Sequence, residues 1–191
     1  MAADQGYIII ARENNKSPPP ELFDKLTDYI GKHAFEFKRR LTLEHTGGDK
    51  IDGGQASREL LNHKVDFSAK ELDSFFRPVL GDSFNEAKKS EPEVVFFAEN
   101  PTQQPRYPAG PRRSSVYIWC SATDEELHDG NGLFRIVEGS HIKLRGEIDG
   151  IDPTPIRLKP YEILIMSADL IIQYPQGGGG VAIVMRVDRH W

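Results

Sequence analysis

The chain from Glu91 onward consists of short runs rich in valine, isoleucine and aromatic residues, and no long helical pattern separates them. Glycine, proline and aspartate bound the runs, as is typical of β-strands and their turns. The runs predicted as strands are 93–99, 115–122, 132–139, 155–160, 162–167, 170–175 and 181–187. Because parallel strands need long crossovers between them, this pattern predicts antiparallel strands forming a sandwich or barrel.

Helical patterns dominate the residues before Glu91. Residues 17–33 repeat apolar side chains at helical spacing after a capping serine, and residues 68–80 begin with a serine–glutamate capping box. Between these helices, residues 36–45 predict an exposed strand and residues 46–55 a glycine-rich loop. The loop has no GK[ST] ending, so a phosphate-binding loop is not expected.

Length and composition fit one globular domain over residues 1–191, since 38% of the residues are hydrophobic and 28% are charged. We expect a mainly β fold with N-terminal helices, an α+β architecture. Residues 1–90 form its helix-rich part, which packs on a β core made by residues 91–191.

Charge and cysteine content exclude several classes of function. The net charge is −5 with scattered basic residues, which argues against nucleic-acid binding, and no apolar run is long enough for a membrane helix. Cys120 is the only cysteine, so neither an internal disulfide nor a multi-cysteine metal site is expected. Without a signal-peptide pattern at its start, the chain is expected to be cytoplasmic.

Two segments carry a family resemblance: "YIWCSATDEELHDGNGLFRIVEGSH" and "IRLKPYEILIMSADLIIQYP". An apolar strand leads to an acidic turn, then to Asn131-Gly132, and then to a strand ending in Gly-Ser-His. Over residues 91–187 the chain resembles the phytanoyl-CoA dioxygenase family of non-haem Fe(II)/2-oxoglutarate oxygenases. The resemblance implies a double-stranded β-helix, which is a cupin-type jelly roll.

The same resemblance implies an iron site made of His-x-Asp/Glu and a distal histidine. None of the six histidines is followed two positions later by an acidic residue. Aligned with the family pattern, Tyr107 takes the place of the first histidine, Ala109 that of the carboxylate and Gln173 that of the distal histidine. A phenol, a methyl group and an amide are not a donor set for Fe(II), so we expect no metal, no iron and no 2-oxoglutarate as cofactor.

Other candidate binding residues are few. The family holds 2-oxoglutarate with an arginine near the start of the last strand, where this chain has none, and Arg186 is the only later candidate. Arg135 binds an anion if it points into the barrel and is an ordinary edge charge if it points outward. Tyr107 and Gln173 are further ligand-binding candidates. His141 is a candidate base, although the resemblance favours a turn-stabilising role.

Three functions fit these observations. The first is a non-catalytic or accessory member of the family that works by binding, as the partner subunit of a homologous oxygenase, as a homodimer, or as a small-molecule-binding protein. The second is a metal-independent isomerase, cyclase or dehydratase that acts on a small natural product. It would use Tyr107, Gln173, His141 or an inward arginine for proton transfer and orientation. The third is an active oxygenase with an unusual triad, made of two of the histidines His63, His128 and His141 near one carboxylate. We favour the first.

Overall fold

The computed structural model describes residues 2–11, 17–33, 48–66, 70–99, 102–110 and 114–189. Within these ranges the chain forms two antiparallel β-sheets, one of seven strands and one of four, with helices packed against the larger sheet. The predicted mainly β fold with N-terminal helices is confirmed.

Eleven strands lie in the described residues. They are β1 (Tyr7–Ala11), β2 (Gly48–Asp52), β3 (Lys88–Lys89), β4 (Glu93–Phe97), β5 (Arg106–Pro108), β6 (Ser115–Ser121), β7 (Arg135–Val137), β8 (Thr154–Pro155), β9 (Glu162–Ser167), β10 (Ile171–Gln173) and β11 (Val181–Asp188). The large sheet has the order β1-β9-β6-β11-β4-β2, with β3 paired to β11 as well, and the small sheet has the order β5-β10-β7-β8. We call the two sheets and the space between them the barrel.

The helices are α1 (Ala2–Gln5), α2 (Pro20–His33), α3 (Gly54–Lys64), α4 (Lys70–Leu80) and α5 (Arg145–Ile148). The helices α2 and α4 confirm the two helical predictions. The sequence reading missed α3, although Ser57, Leu60, Leu61 and Lys64 recur at helical spacing and all four are buried. Among the helices of the described ranges, none combines the length and the apolar character that crossing a membrane requires.

Each central strand of the large sheet is buried on both faces, because successive side chains point to opposite sides. In β6, Ile118 and Cys120 pack against the helices, whereas Trp119 packs into the barrel. Two hydrophobic cores result. The helix-side core lies between the helices and the large sheet, and the barrel core lies between the two sheets.

The N-terminal half contributes more than helices. The strand β1 extends one edge of the large sheet by pairing with β9, and β2 extends the other edge by pairing with β4. The prediction of a loop over residues 46–55 is therefore wrong, since that segment contains β2 and the start of α3. The strand predicted over residues 36–45 lies outside the described residues.

The predicted strand at 155–160 is also shorter in the structure. Regular pairing ends with β8 at Pro155, and beyond it Leu158 forms a single bridge with Leu127.

Candidate functional site

The inner face of the small sheet holds two of the three positions that the family resemblance assigns to iron ligands. Tyr107 in β5 lies opposite Ile172 in β10, and Ile172 lies opposite Ile136 in β7. Directly opposed residues of an antiparallel pair project from the same face. Ile172 and Ile136 are buried in the barrel core, Tyr107 packs against that core, and Ala109 belongs to it. These side chains therefore face the inside of the barrel.

Gln173 faces the other way. It lies opposite Arg106 on one neighbouring strand and Arg135 on the other. Its side-chain oxygen accepts a hydrogen bond from the Gln103 amide at 2.8 Å, and its nitrogen donates to the Gln104 carbonyl at 2.9 Å. The structure thus does not bring Gln173 together with Tyr107 and Ala109. The inward position beside Tyr107 is Ile172, because a shift of one residue moves a side chain to the opposite face of a sheet.

Three tyrosines lie close together in the barrel: Tyr107 in β5, Tyr117 in β6 and Tyr174 directly after β10. The ring centroids of Tyr107 and Tyr174 lie 6.1 Å apart. The ring of Tyr117 packs against Gly110 so closely that a Cβ added to Gly110 would lie 2.4 Å from it. Burial raises the pKa of all three hydroxyls, most strongly that of Tyr174. Neutral phenols donate hydrogen bonds at physiological pH and are poor bases, so this cluster is suited to binding an oxygen atom.

The barrel core behind the tyrosines is aromatic and closely packed. Trp119 lies 5.2 Å from Phe134 and 6.1 Å from Phe97, measured between ring centroids, and Tyr174 lies 5.8 Å from Phe134. All four residues are at most 4% exposed. The indole nitrogen of Trp119 is buried and has no hydrogen-bond partner among the described residues. Aromatic side chains therefore fill this part of the space between the sheets.

Arg186 lies on the barrel side of β11, near the tyrosines. It is opposite Tyr117 in the sheet register, and its guanidinium partly offsets the rise that burial causes in the pKa of that phenol. Its Nε donates to an Asp188 carboxylate oxygen at 3.0 Å. The guanidinium is thus engaged by neighbours of the same chain, and one third of the side chain is exposed.

Arg135 projects from the outer face of the small sheet, which settles the alternative left open by the sequence. Its Nη2 donates to Asp129 at 2.8 Å, whereas its strand neighbours Phe134 and Ile136 are both in the barrel core. Arg135 is accordingly one half of a partly exposed ion pair on the outside of the barrel.

The barrel rim contains a tyrosine–carboxylate contact. The Tyr7 hydroxyl donates to Glu138 at 2.9 Å. Burial, together with the hydrogen bond and the negative charge of Glu138, raises the pKa of Tyr7 to about 12. This phenol is protonated at any physiological pH.

The three histidines proposed for an unusual iron site lie on separate elements. His141 is in the 3-10 turn Ser140–Ile142 and packs against Gly6, where a Cβ would lie 2.5 Å from its Nδ1. His128 caps the turn Asp129–Asn131 by accepting from the Gly130 N–H at 3.0 Å, and His63 is in the last turn of α3. In the ranges that the structure describes, no three histidine, cysteine or acidic side chains are grouped so that they could hold a metal ion.

The residues present do not fit Fe(II). The inward set is Tyr107, Ala109 and Ile172, which offers one protonated phenol and two groups that cannot coordinate a metal. A carboxylate co-substrate would also have to compete with Asp188 for Arg186, the charged candidate on the barrel side.

Sequence reasoning missed Tyr117, Trp119 and Tyr174. A signal was available in residues 115–122, where Tyr117 and Trp119 alternate with aliphatic residues and therefore share one face. Which face points into the barrel depends on the packing of the helices on the other side.

No protein-family model and no curated protein sequence matches the chain. Solved structures do match. SnoN, a non-haem alpha ketoglutarate dependent epimerase from nogalamycin biosynthesis, has a TM-score of 0.64 at 13% identity, with 98% of this chain and 80% of SnoN covered. SnoK, a non-haem alpha ketoglutarate dependent carbocyclase from the same biosynthesis, has a TM-score of 0.61 at 11% identity, with 97% and 79% covered.

A third match is AviO1 from Streptomyces viridochromogenes Tue57, with a TM-score of 0.59 at 14% identity and with 98% of this chain and 91% of AviO1 covered. SnoN has also been solved in complex with Fe3+, alpha ketoglutarate and nogalamycin RO. These matches extend over nearly the whole chain and confirm the expected double-stranded β-helix. The chain therefore has the fold of non-haem iron, 2-oxoglutarate-dependent oxygenases.

Proposed function

We propose that this chain is a non-catalytic member of the oxygenase fold and that it works by binding. One observation supports the proposal: Tyr107 and Ala109, at positions that the family resemblance assigns to iron ligands, and Ile172, the inward neighbour of Gln173, lie in or against an apolar core. An oxygenase of this kind needs two histidines and a carboxylate around open coordination positions. A phenol, a methyl group and a sec-butyl group do not meet that requirement.

The partner expected for such a chain is a second oxygenase-fold chain, either a catalytic homologue or another copy of itself. Two apolar side chains at the barrel rim support this expectation, since Ile142 is 69% exposed and Leu144 is 77% exposed. The turn that carries them is attached to the barrel by a hydrogen bond from the Ile171 N–H to Ser140 Oγ at 2.7 Å. A partner that covered these side chains would lie beside the start of β10.

Metal-independent proton transfer has less support. The clustered tyrosines Tyr107, Tyr117 and Tyr174 have raised pKa values, so they are protonated at neutral pH and do not act as general bases. His141 packs against Gly6 from the turn Ser140–Ile142, which agrees with the turn-stabilising role that the family resemblance favours.

Anaerobic equilibrium dialysis of the purified chain with Fe(II), with and without 2-oxoglutarate, tests the proposal. The expected result is no stoichiometric iron and no release of succinate when oxygen is admitted. One iron per chain, bound more tightly in the presence of 2-oxoglutarate, would overturn the proposal.

A pair of restored variants sharpens this test. Both contain Tyr107→His and Ala109→Asp, and one adds Ile172→His whereas the other adds Gln173→His. We expect Fe(II) binding only with Ile172→His, because that position shares a face with the other two. Iron binding by the Gln173→His variant alone would show that the two faces of β10 are assigned the wrong way round.

A further inference from the structure

A cavity of about 260 Å³ lies outside the barrel, between α3 and the large sheet. Leu61 of α3, Phe84 and Met185 of β11 line it, and each of them is at most 7% exposed. Phe84 lies between α4 and β3, so the lining combines a helix, a connection and a strand. The cavity is distinct from the tyrosine cluster, because Met185 projects from the helix side of β11 and Arg186 from the barrel side.

Charged side chains surround the cavity. Arg58 of α3 forms an ion pair with Glu91, which lies in the connection between β3 and β4, and both side chains are more than half exposed. Lys89 lies over the Phe84 ring, with its Nζ 4.6 Å from the ring centroid. Two cations and one anion therefore border an apolar interior.

We propose that this cavity binds a small organic monocarboxylate with an aromatic or short aliphatic body. The body packs against Leu61, Phe84 and Met185, and the carboxylate takes the place of Glu91 on Arg58. Guanidinium groups bind carboxylates in a bidentate manner. An exposed ion pair contributes little to stability, so a ligand displaces Glu91 at small cost.

The net positive charge of the rim favours an anion over a neutral or cationic molecule of the same shape. A free volume of this size holds a molecule of roughly ten heavy atoms, given that a water occupies about 30 Å³ in the liquid. The proposal concerns the helix side of the sheet, so it stands or fails independently of iron binding in the barrel.

The experiment uses 3-phenylpropanoate as the probe and follows backbone amide shifts of the isotope-labelled chain by NMR at millimolar probe concentrations. We expect saturable shifts at Asn62 and Ser90, which line the cavity. The alcohol 3-phenylpropan-1-ol should bind about threefold more weakly, because it lacks the contact with the exposed Arg58 guanidinium.

Two variants are expected to change the affinity for 3-phenylpropanoate in opposite directions. Arg58→Gln should weaken binding of the acid about threefold, whereas Glu91→Gln should strengthen it about twofold by removing the internal competitor. A purely structural role of the ion pair would shift both affinities in the same direction. Because both side chains are more than half exposed, both variants are expected to fold, and their melting temperatures check this.

Lys25→Gln is the matched control. It removes the exposed Lys25–Glu59 ion pair beside Arg58 on α3, and neither residue lines the cavity. It should leave the affinity for 3-phenylpropanoate unchanged. Absence of saturable shifts, equal binding of the acid and the alcohol, or parallel effects of Arg58→Gln and Glu91→Gln would each overturn the proposal.

Discussion

The inside of the barrel and its outside differ in what they bury. Inside, between the sheets, four aromatic side chains contact one another, and the polar groups among them are one phenol and one indole. Outside, under the helices, the large sheet is covered by aliphatic side chains and phenylalanines, together with the buried Lys64 and Cys120. The strands of the large sheet contribute to both surfaces, because successive side chains of a strand point to opposite faces.

The chain shares a fold with its structural matches, whereas aromatic side chains fill the part of its barrel described above. The inward residues Tyr107, Ala109 and Ile172 lie in or against the packed barrel core, while the helix side of the large sheet has a cavity with charged residues at its rim. Burial of apolar side chains in the two cores is the main favourable contribution to the stability of this fold. Substitutions in the barrel core and in the helix-side core test how the two regions differ.

The largest effect is expected from truncating the barrel core. Phe134→Ala should destabilise the chain by about 3–5 kcal/mol, as is usual for a fully buried phenylalanine. Phe75→Ala in the helix-side core is the reference, since Phe134 is 0% and Phe75 is 1% exposed. Urea denaturation of both variants measures the two losses. A much smaller loss for Phe134→Ala would mean that the barrel is a chamber for a ligand rather than a packed core.

The next effect concerns the buried cation outside the barrel. Lys64 is 2% exposed, donates to the Ser121 carbonyl at 2.5 Å and lies 5.4 Å from the centre of the Phe23 ring. Burial lowers its pKa, and only the neighbouring Cys120 opposes this. Lys64→Met keeps the volume and removes the charge, so we expect the chain to gain about 1 kcal/mol at neutral pH. Lys64→Ala, which leaves a cavity, should lose about 2 kcal/mol.

The pH dependence of stability tests whether the buried charge of Lys64 causes the difference between the parent and Lys64→Met. Because the lowered pKa of Lys64 makes the unfolded chain bind more protons, raising the pH towards its ordinary value of 10.5 should stabilise the parent relative to Lys64→Met. Burial raises the pKa of Cys120 and works in the opposite direction, so both proteins should contain Cys120→Ala. A constant difference in the free energy of unfolding between about pH 8 and 10 would contradict the prediction.

Much of the fold could be predicted from residues 91–191, because strands buried on both faces appear as continuous apolar runs. The strands β1 and β2 could not be predicted in this way. The segment Gly48–Asp52 is polar and becomes a strand only because β4 offers it an unpaired edge. The prediction of the site was limited for a similar reason, since it also depends on how the strands pair. The resemblance places the distal ligand position at Gln173, and only the pairing of β10 with β5 shows that Ile172, one residue earlier, is the side chain that faces inward.

A smaller effect is expected at the barrel rim. Tyr7→Phe removes the hydrogen bond to Glu138 and should cost about 1 kcal/mol at neutral pH. Since the folded pKa of about 12 lies above the ordinary value of 10, the parent should lose stability relative to the variant as the pH rises through that interval. Denaturation at neutral and alkaline pH measures the difference, to which the other tyrosines contribute equally in both proteins. Glu138→Gln, which keeps an acceptor and removes the charge, should weaken this dependence.

The smallest effect is expected on the outer face of the small sheet. Gln173→Ala removes the hydrogen bonds with Gln103 and Gln104, and because Gln173 is only partly buried the cost should be about 0.5–1 kcal/mol. Ile172→Ala, one residue away and 1% exposed, should cost about 2–4 kcal/mol. The two free energies of unfolding thus report which side chain of β10 belongs to the barrel. A larger loss at Gln173 than at Ile172 would place the amide inside and return it to the neighbourhood of Tyr107, where the sequence alone had put it.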